Sequence, residues 1–447
     1  MSDKQMQTGA TPDAGDYPSP VYAWYVVFIL FVAYTLAFVD RQIMAFLVDP
    51  IRADLGITDF QFSLLQGFAF AIFYGVLGIP IGMLADNHNR RNIVAIGVGL
   101  WSLMTATCGL AGSFWQVFLA RLGVGVGEAA LSPSAISMIS DYFPKEKRGL
   151  PINFYSAGVQ AGAGMANIFG GAIVAFTAAG GGQDVLLLGS LKPWQLAFVL
   201  VALPGLLVVL LTYTIREPVR REKRSEQSRV TFGETLNYVR RHWLVYSTLM
   251  VGASFGAMAS YGAFSWAPTM FRRIYGWNMG RIGLDIGLIT IICGTGGLLI
   301  SGALAGAMMK RGRMTAYVIL MIILMCCTIP PAFLFVAVHD PYWTLGCLTL
   351  MVLFLSGPIG LVQAALQAIT PNEMRGQIIA VYLVGVTIFG VGLGPSAVSA
   401  FTDFVFANDL DVGRSISVVA TLASIISATL LALSLRAYRR KVSGEAD

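Results

Sequence analysis

What most constrains this chain is that apolar runs long enough to cross a bilayer recur along nearly all of its 447 residues. A hydrocarbon core about 30 Å thick is crossed by roughly 20 consecutive apolar residues of helix. Runs of that kind lie at 22–49, 60–85, 92–111, 114–141, 150–178, 194–214, 243–270, 282–308, 315–338, 342–366, 376–403 and 413–436. Inside lipid every backbone donor and acceptor needs an internal partner, so such runs predict helices. With 56% hydrophobic and 12% charged residues, the composition excludes an ordinary soluble domain. The expected fold class is an all-α integral membrane protein with twelve transmembrane helices.

Lysine and arginine set the expected orientation. With both termini cytoplasmic, that side holds 22 of the 30 basic residues and the other side six: Arg52, Lys192, Arg272, Arg273, Arg281 and Arg414. Arg41 and Arg121 fall within the membrane. Because the basic clusters sit between apolar runs, the net charge of +6 reads as a topology signal and no nucleic-acid partner is expected. Residues 1–21 are polar, lack the basic start and cleavage site of a signal peptide, and read as a disordered cytoplasmic tail. The cysteines (Cys108, Cys293, Cys326, Cys327 and Cys347) lie in apolar runs without ligand spacing, as buried thiols do.

The polar stretch 216–241 separates a six-helix bundle at 22–215 from another at 242–437, and 438–447 forms a second cytoplasmic tail. Sequence recurs across this linker. Gly82-Met-Leu-Ala-Asp-Asn-His-Asn-Arg-Arg is answered by Gly302-Ala-Leu-Ala-Gly-Ala-Met-Met-Lys-Arg, and Pro144-Lys-Glu-Lys-Arg-Gly by Pro371-Asn-Glu-Met-Arg-Gly. Two matches at nearly one offset imply parallel six-helix repeats with a substrate site near the midplane between them.

Four ionisable residues sit well inside the runs: Asp40, Arg41, Arg121 and Glu128. Charges at membrane depth are costly, so they face a cavity or one another, and function is their default reading. The competing reading is that they only neutralise one another and hold helices in place. Asp40 and Arg121 fall at similar depths, roughly 10 to 14 Å from the outer face, and are expected as lateral partners. Glu128 lies about 10 Å further in. Arg121 and Glu128 share a helix face but stand seven residues apart, too far for the usual helical pair, and are expected to share a cavity. Arg41 points about 100° away from Asp40, toward a neighbouring helix.

Burial raises a carboxylate's pKa and a nearby arginine lowers it, so rearranging such a cluster can load or release a proton. His88, His242 and His339 lie at span ends or in loops, which leaves a carboxylate, Glu128 first, as the expected proton carrier. The second half offers Tyr246, Phe255, Tyr261, Phe264, Trp266, Phe354, Gln363, Gln367 and Tyr382 but no central charge. A charged wall facing an apolar and aromatic one suits an amphiphile, with its headgroup at Arg121 and Glu128.

Other classes lack their signatures. Gly123-Val-Gly-Val-Gly lies inside an apolar run with no preceding strand, so it is a close-packing device rather than a dinucleotide loop. Pro133 and Pro395 are expected to bend their helices. There is no phosphate-cradling loop for an ATP-driven pump, and no Ser-His-Asp or His-Glu-x-x-His arrangement for an enzyme. Neither cofactor nor metal is expected. A channel fits the composition, but duplicated halves favour alternating access.

These residues resemble the major facilitator superfamily over essentially the whole chain from Val21 onward. Gly82, Leu84, Asp86, Arg90 and Arg91 match that family's loop motif between helices 2 and 3. The resemblance implies a cytoplasmic gate formed by Asp86, Arg90 and Arg91, with Arg148 of the related Pro144–Gly149 motif. In the second copy Gly306 stands where the aspartate would be.

Within the superfamily the chain looks most like the spinster family of lysolipid and sphingosine-phosphate transporters. The matching residues are Asp40-Arg41, Arg121 with Gly125, Gly127 and Glu128, Asp141-Tyr-Phe-Pro, and Arg148-Gly149, with a departure at Ala37-Phe38-Val39. The resemblance implies a proton-coupled secondary active transporter of an amphiphilic lipid such as a lysophospholipid, working as a monomer in a plasma or inner membrane. The alternative is a proton-coupled drug or organic-anion carrier. The fifth run lacks the Gly-Pro pair of antiporters while Gly394-Pro395 places one in the eleventh, so symport and antiport both stand.

Overall fold

The computed structural model of the chain describes residues 17–144, 147–180, 183–185, 189–220 and 231–443. Of the expected tails at 1–21 and 438–447, residues 1–16 and 444–447 lie outside the described residues, as do Lys145, linker residues 221–230 and the side chain of Asp86, whereas Pro20 and Val21 open the first helix and 438–443 continue the last one. The helices are α1 Pro20–Phe46, α2 Val48–Leu55, α3 Asp59–Gly78, α4 Arg90–Cys108, α5 Phe114–Tyr142, α6 Gly149–Gly180 and α7 Pro193–Tyr213. After them come α8 Phe232–Arg241, α9 Trp243–Tyr275, α10 Met279–Lys310, α11 Ala316–Val336, α12 Pro341–Ile369, α13 Arg375–Phe406 and α14 Asp409–Ser443. Eleven of these are long and apolar enough to cross a membrane. The shorter α4 opens on Arg90-Arg91-Asn92, which dilutes its apolar character, yet it packs along both α5 and α7. Counted as a span, it completes the expected twelve.

The two repeats pack alike. In the first, α1 lies along α6 and α4 along α7; in the second, α9 lies along α13 and α11 along α14. The internal match recurs in side-chain geometry. Arg148 Nε donates to the Phe143 carbonyl at 2.8 Å, and Arg375 Nε donates to the Thr370 carbonyl at 3.1 Å, at the offset that relates Pro144 to Pro371. One part of the polar linker is ordered: α8 is capped by Thr231 and Glu234, each side chain meeting the other's backbone N–H.

The halves meet along two seams, α3 against α13 and α6 against α10. A π-helical turn interrupts α3 at Leu64–Phe68 and another interrupts α13 at Thr387–Leu393, where the two helices cross. The crossing needs a glycine: a Cβ on Gly67 would stand 2.2 Å from the Val391 carbonyl oxygen.

Polar contacts between the halves gather at one end. Arg273 of α9 donates to both oxygens of Asp59 at 2.6 and 2.9 Å and to Asp49 at 2.8 Å. Arg52 reaches Asp59 at 3.0 Å and Asp409 at 2.8 Å, and the Phe60 N–H donates to Asp403 at 2.7 Å. Ser63 meets Ser396 and Ser399 just inside this cluster. The opposite end carries the chain's entry into α1, the exit from α7, and α8. This charged clasp was not foreseen, because Arg52, Arg272 and Arg273 had been assigned only to loops.

Arg273→Gln is expected to loosen the clasp, since Asp59 is fully buried and loses a bidentate partner. Spin labels at the exposed positions Ala53 and Leu410 should then show a longer distance population by pulsed electron resonance. An unchanged distribution would mean that the clasp does not hold the halves together.

Candidate functional site

The four intramembrane charges form two buried pairs between α1 and α5. Arg121 Nη1 donates to Asp40 Oδ1 at 3.0 Å, and the Thr105 hydroxyl of α4 donates to the other oxygen of Asp40. This is the expected lateral pair. The second pair departs from expectation: Arg41 Nε donates to Glu128 Oε2 at 2.6 Å, with Nη2 at 2.5 Å from the same oxygen. Consecutive residues on α1 thus reach two residues a full two turns apart on α5, because Asp40 and Arg41 leave their helix about 100° apart.

Local sequence explains how α5 presents these groups. A Cβ on Gly125 would stand 2.7 Å from the Phe70 carbonyl oxygen of α3, and one on Gly127 2.7 Å from the Gly97 carbonyl oxygen of α4. Only glycine lets the three backbones approach so closely. The helix is interrupted at Ala129-Ala130, directly after Glu128. Pro133 lacks the N–H that would bond the Ala129 carbonyl, so the expected bend falls at the proton-carrier candidate.

The members of the cluster differ in access. The side chain of Arg121 is fully buried and that of Glu128 is 1% exposed, whereas that of Arg41 is 17% exposed. Of these charges Arg41 has open surface, while Arg121 and Glu128, at which a headgroup contact is expected, have almost none. Its guanidinium lies over Phe70 at 4.5 Å, Tyr74 at 4.7 Å and Phe38 at 5.2 Å, each a cation–π arrangement. Three polar atoms of the cluster, Arg121 Nε and Nη2 and Glu128 Oε1, are buried with no hydrogen-bond partner among the described residues. Leaving such atoms unmatched is costly, so the cluster holds unused capacity for a proton, water or ligand.

Tyr261 of α9 lies close enough to Arg41 and Tyr74 to interact with both, and Tyr382 of α13 interacts with Tyr261. Phe264, Phe354 and Gln363 are half-buried, and Gln367 is exposed. Trp266 is a correction: it is fully buried, its indole N–H donates to the Pro395 carbonyl at 2.9 Å, and it cannot line a cavity. Tyr246 is likewise enclosed, bonded to the Ile369 carbonyl at 3.1 Å. Sequence reading missed the tyrosines on the charged side. Tyr34 stacks on Tyr155 with ring centroids 4.9 Å apart, and both interact with Arg41 and Tyr74. A tyrosine two helical turns before Arg41, on the same helix face, would have pointed there.

Arg90 and Arg91, expected to serve a gate, are tied within the first half. Arg90 is buried and pairs with Asp141, with Glu217 at 2.8 Å, with Ser137 at 2.8 Å and with the Pro218 carbonyl at 3.0 Å. The Arg91 N–H donates to Glu217 at 2.9 Å, and its guanidinium lies 5.7 Å from the Tyr213 ring. Arg90 and Arg91 thus fasten α4, the end of α5 and the segment after α7. Glu217, unremarked in the linker sequence, is the residue they share.

Known proteins bear on this arrangement. The profile of the Major Facilitator Superfamily matches residues 30–395. A crystal structure of a bacterial homolog to the human lysosomal transporter spinster, in an inward-facing and unoccupied conformation, superposes with a TM-score of 0.81. It is 25% identical, covering 96% of this chain and 99% of that one. An MFS-type efflux pump of Mycolicibacterium smegmatis is 28% identical over 452 residues, 98% of this chain and 99% of its own. Protein spinster of Drosophila melanogaster is 28% identical over 304 residues, 64% of this chain but 46% of the fly protein.

Arg41→Gln leaves Glu128 buried beside the gap. Removing one partner of a buried pair costs about 3–5 kcal/mol, while removing both is close to neutral. The single variant should unfold at a clearly lower temperature, and Arg41→Gln with Glu128→Gln should recover most of the loss. A double variant no more stable than the single one would show that the two residues are not coupled.

Proposed function

The chain belongs to the Major Facilitator Superfamily and is a multi-pass membrane transporter with spinster-like relatives; from that premise, we propose that it moves an amphiphilic lipid of lysophospholipid or sphingosine-phosphate type, coupled to protons. The observation that carries this reading is the pair of buried ion pairs with one accessible arginine, set among tyrosines from both halves. Arg41 offers a fork-shaped donor to a phosphate or carboxylate headgroup. The half-buried aromatic and apolar side chains beyond it accept a tail.

The proton step follows from competition for Arg41. While Arg41 is paired with Glu128, the carboxylate is neutralised by charge. When an anionic headgroup draws the guanidinium away, Glu128 is left in an apolar site, where a proton becomes its cheapest neutraliser. Headgroup and proton are thereby linked through one side chain, with Asp40 and Arg121 as the fixed pair that keeps α1 and α5 in register.

The bias of lysine and arginine supports a cytoplasmic side that holds the termini, Arg90, Arg91, Arg148 and α8. The Arg273 clasp then closes the outer end, and the site opens inward in a state that alternates with its opposite. Asp86, Arg90, Arg91 and Arg148 serve the inner gate. The chain works as a monomer in a cell membrane, the inner one where there are two.

Export of drug-like compounds is the second reading, favoured by the end-to-end likeness to the efflux pump. A ligand-stability screen across lysolipids, sphingolipids, drugs and short polar anions separates the two. Lysophospholipids are expected to raise the unfolding temperature and to compete for gradient-driven uptake in proteoliposomes. Stabilisation by drugs with none by any lysolipid would favour the second reading and overturn the first.

A further inference from the structure

A second charged niche lies at the end of the molecule that carries α8, far along the chain from the ion pairs of α1 and α5. A cavity of about 220 Å³ opens between the start of α9 and the end of α14, lined by Arg241, His242, Arg440 and Lys441 together with Trp243 and Leu244. No carboxylate is among its lining residues. Arg241 and Arg440 have no acidic partner among the described residues, and both side chains are exposed. Lys441 is held in place: its Nζ stands 2.9 Å from His242 Nε2 and 4.8 Å from the centre of the Tyr238 ring. Three cations thus converge on one concavity without a counter-charge among the described residues, which is the arrangement an anion would relieve.

We propose that this niche binds the phosphate headgroup of an anionic phospholipid of the surrounding leaflet. The apolar rim decides between a lipid and a free phosphate. Trp243 is 63% exposed and Leu244 46% exposed at the first residues of a membrane-crossing helix, the depth at which tryptophan anchors to the headgroup region. The adjoining α8 exposes Phe232 and Leu236, one helical turn apart on one face, as a helix lying along a membrane surface does. Basic niches between helix ends at the cytoplasmic face are suited to phosphate headgroups with their chains still in the bilayer. The bound lipid would join the linker helix to the last helix of the second half, and so tie the linker to the membrane.

The test uses the purified full-length protein in neutral detergent, with native mass spectrometry counting retained lipid. Phosphatidylglycerol is expected to be retained over phosphatidylcholine, and Arg241→Gln with Arg440→Gln should weaken that retention about tenfold or more. Arg436→Gln with Arg439→Gln, on the same helix end but outside the niche, should leave it unchanged, and Arg241→Lys with Arg440→Lys should largely keep it. Equal retention of both lipids would overturn the proposal, as would loss in the Arg436 and Arg439 variant equal to that in the niche variant. Binding of glycerol phosphate or inorganic phosphate as tight as that of phosphatidylglycerol would overturn the lipid assignment.

Discussion

The structure depends on the cost of placing four charges where water cannot hydrate them. At that depth an unpaired carboxylate would take up a proton, and an unpaired arginine, which stays charged, would drag the helix out of register. Pairing Asp40 with Arg121 and Arg41 with Glu128 removes that cost only if α1 and α5 hold one relative position. Much of the first half serves that position. Gly125 and Gly127 bring α3 and α4 against α5, Thr105 supplies a further donor to Asp40, and the helix breaks immediately after Glu128.

The duplication makes the halves alike in packing and unlike in chemistry. The Arg148 and Arg375 loops close in the same way on their own carbonyls, and the same helix pairs lie together in each repeat. The second half nevertheless carries no counterpart to Asp40, Arg41, Arg121 or Glu128 at its centre, and presents tyrosines instead. Its charges that reach across the seam lie at one end, where Arg273 holds Asp49 and Asp59. A transporter of this family works by moving one half against the other. Here the two intramembrane ion pairs and the Arg273 ion pairs across the seam form separate clusters, the first between α1 and α5 and the second reaching from α9 to Asp49 and Asp59.

The fold was legible because hydrophobic length, positive charge and a repeated motif are each properties of contiguous sequence. The Asp40–Arg121 pair was legible too, since depth along two helices can be counted in residues. The Arg41–Glu128 pair was not, because it depends on how far α5 rotates against α1, which close glycine contacts set. Trp266 and Tyr246 were misassigned for a related reason. An aromatic residue at helical spacing has the same sequence signature whether it faces a cavity or a neighbouring helix, and only the Pro395 and Ile369 carbonyls reveal which. The Arg273 clasp escaped because it joins residues more than 200 positions apart, and Glu217 because a single glutamate in a charged linker carries no signal of its own.

The central claim is that Glu128 takes up a proton when a headgroup draws Arg41 away from it. The most direct measurement is the number of protons exchanged with solution when a lysophospholipid binds the purified protein in weakly buffered detergent, followed with a pH indicator. The account predicts net proton exchange on binding to the native protein and its loss in Glu128→Gln, with lipid binding retained. The same proton exchange in both proteins would contradict it.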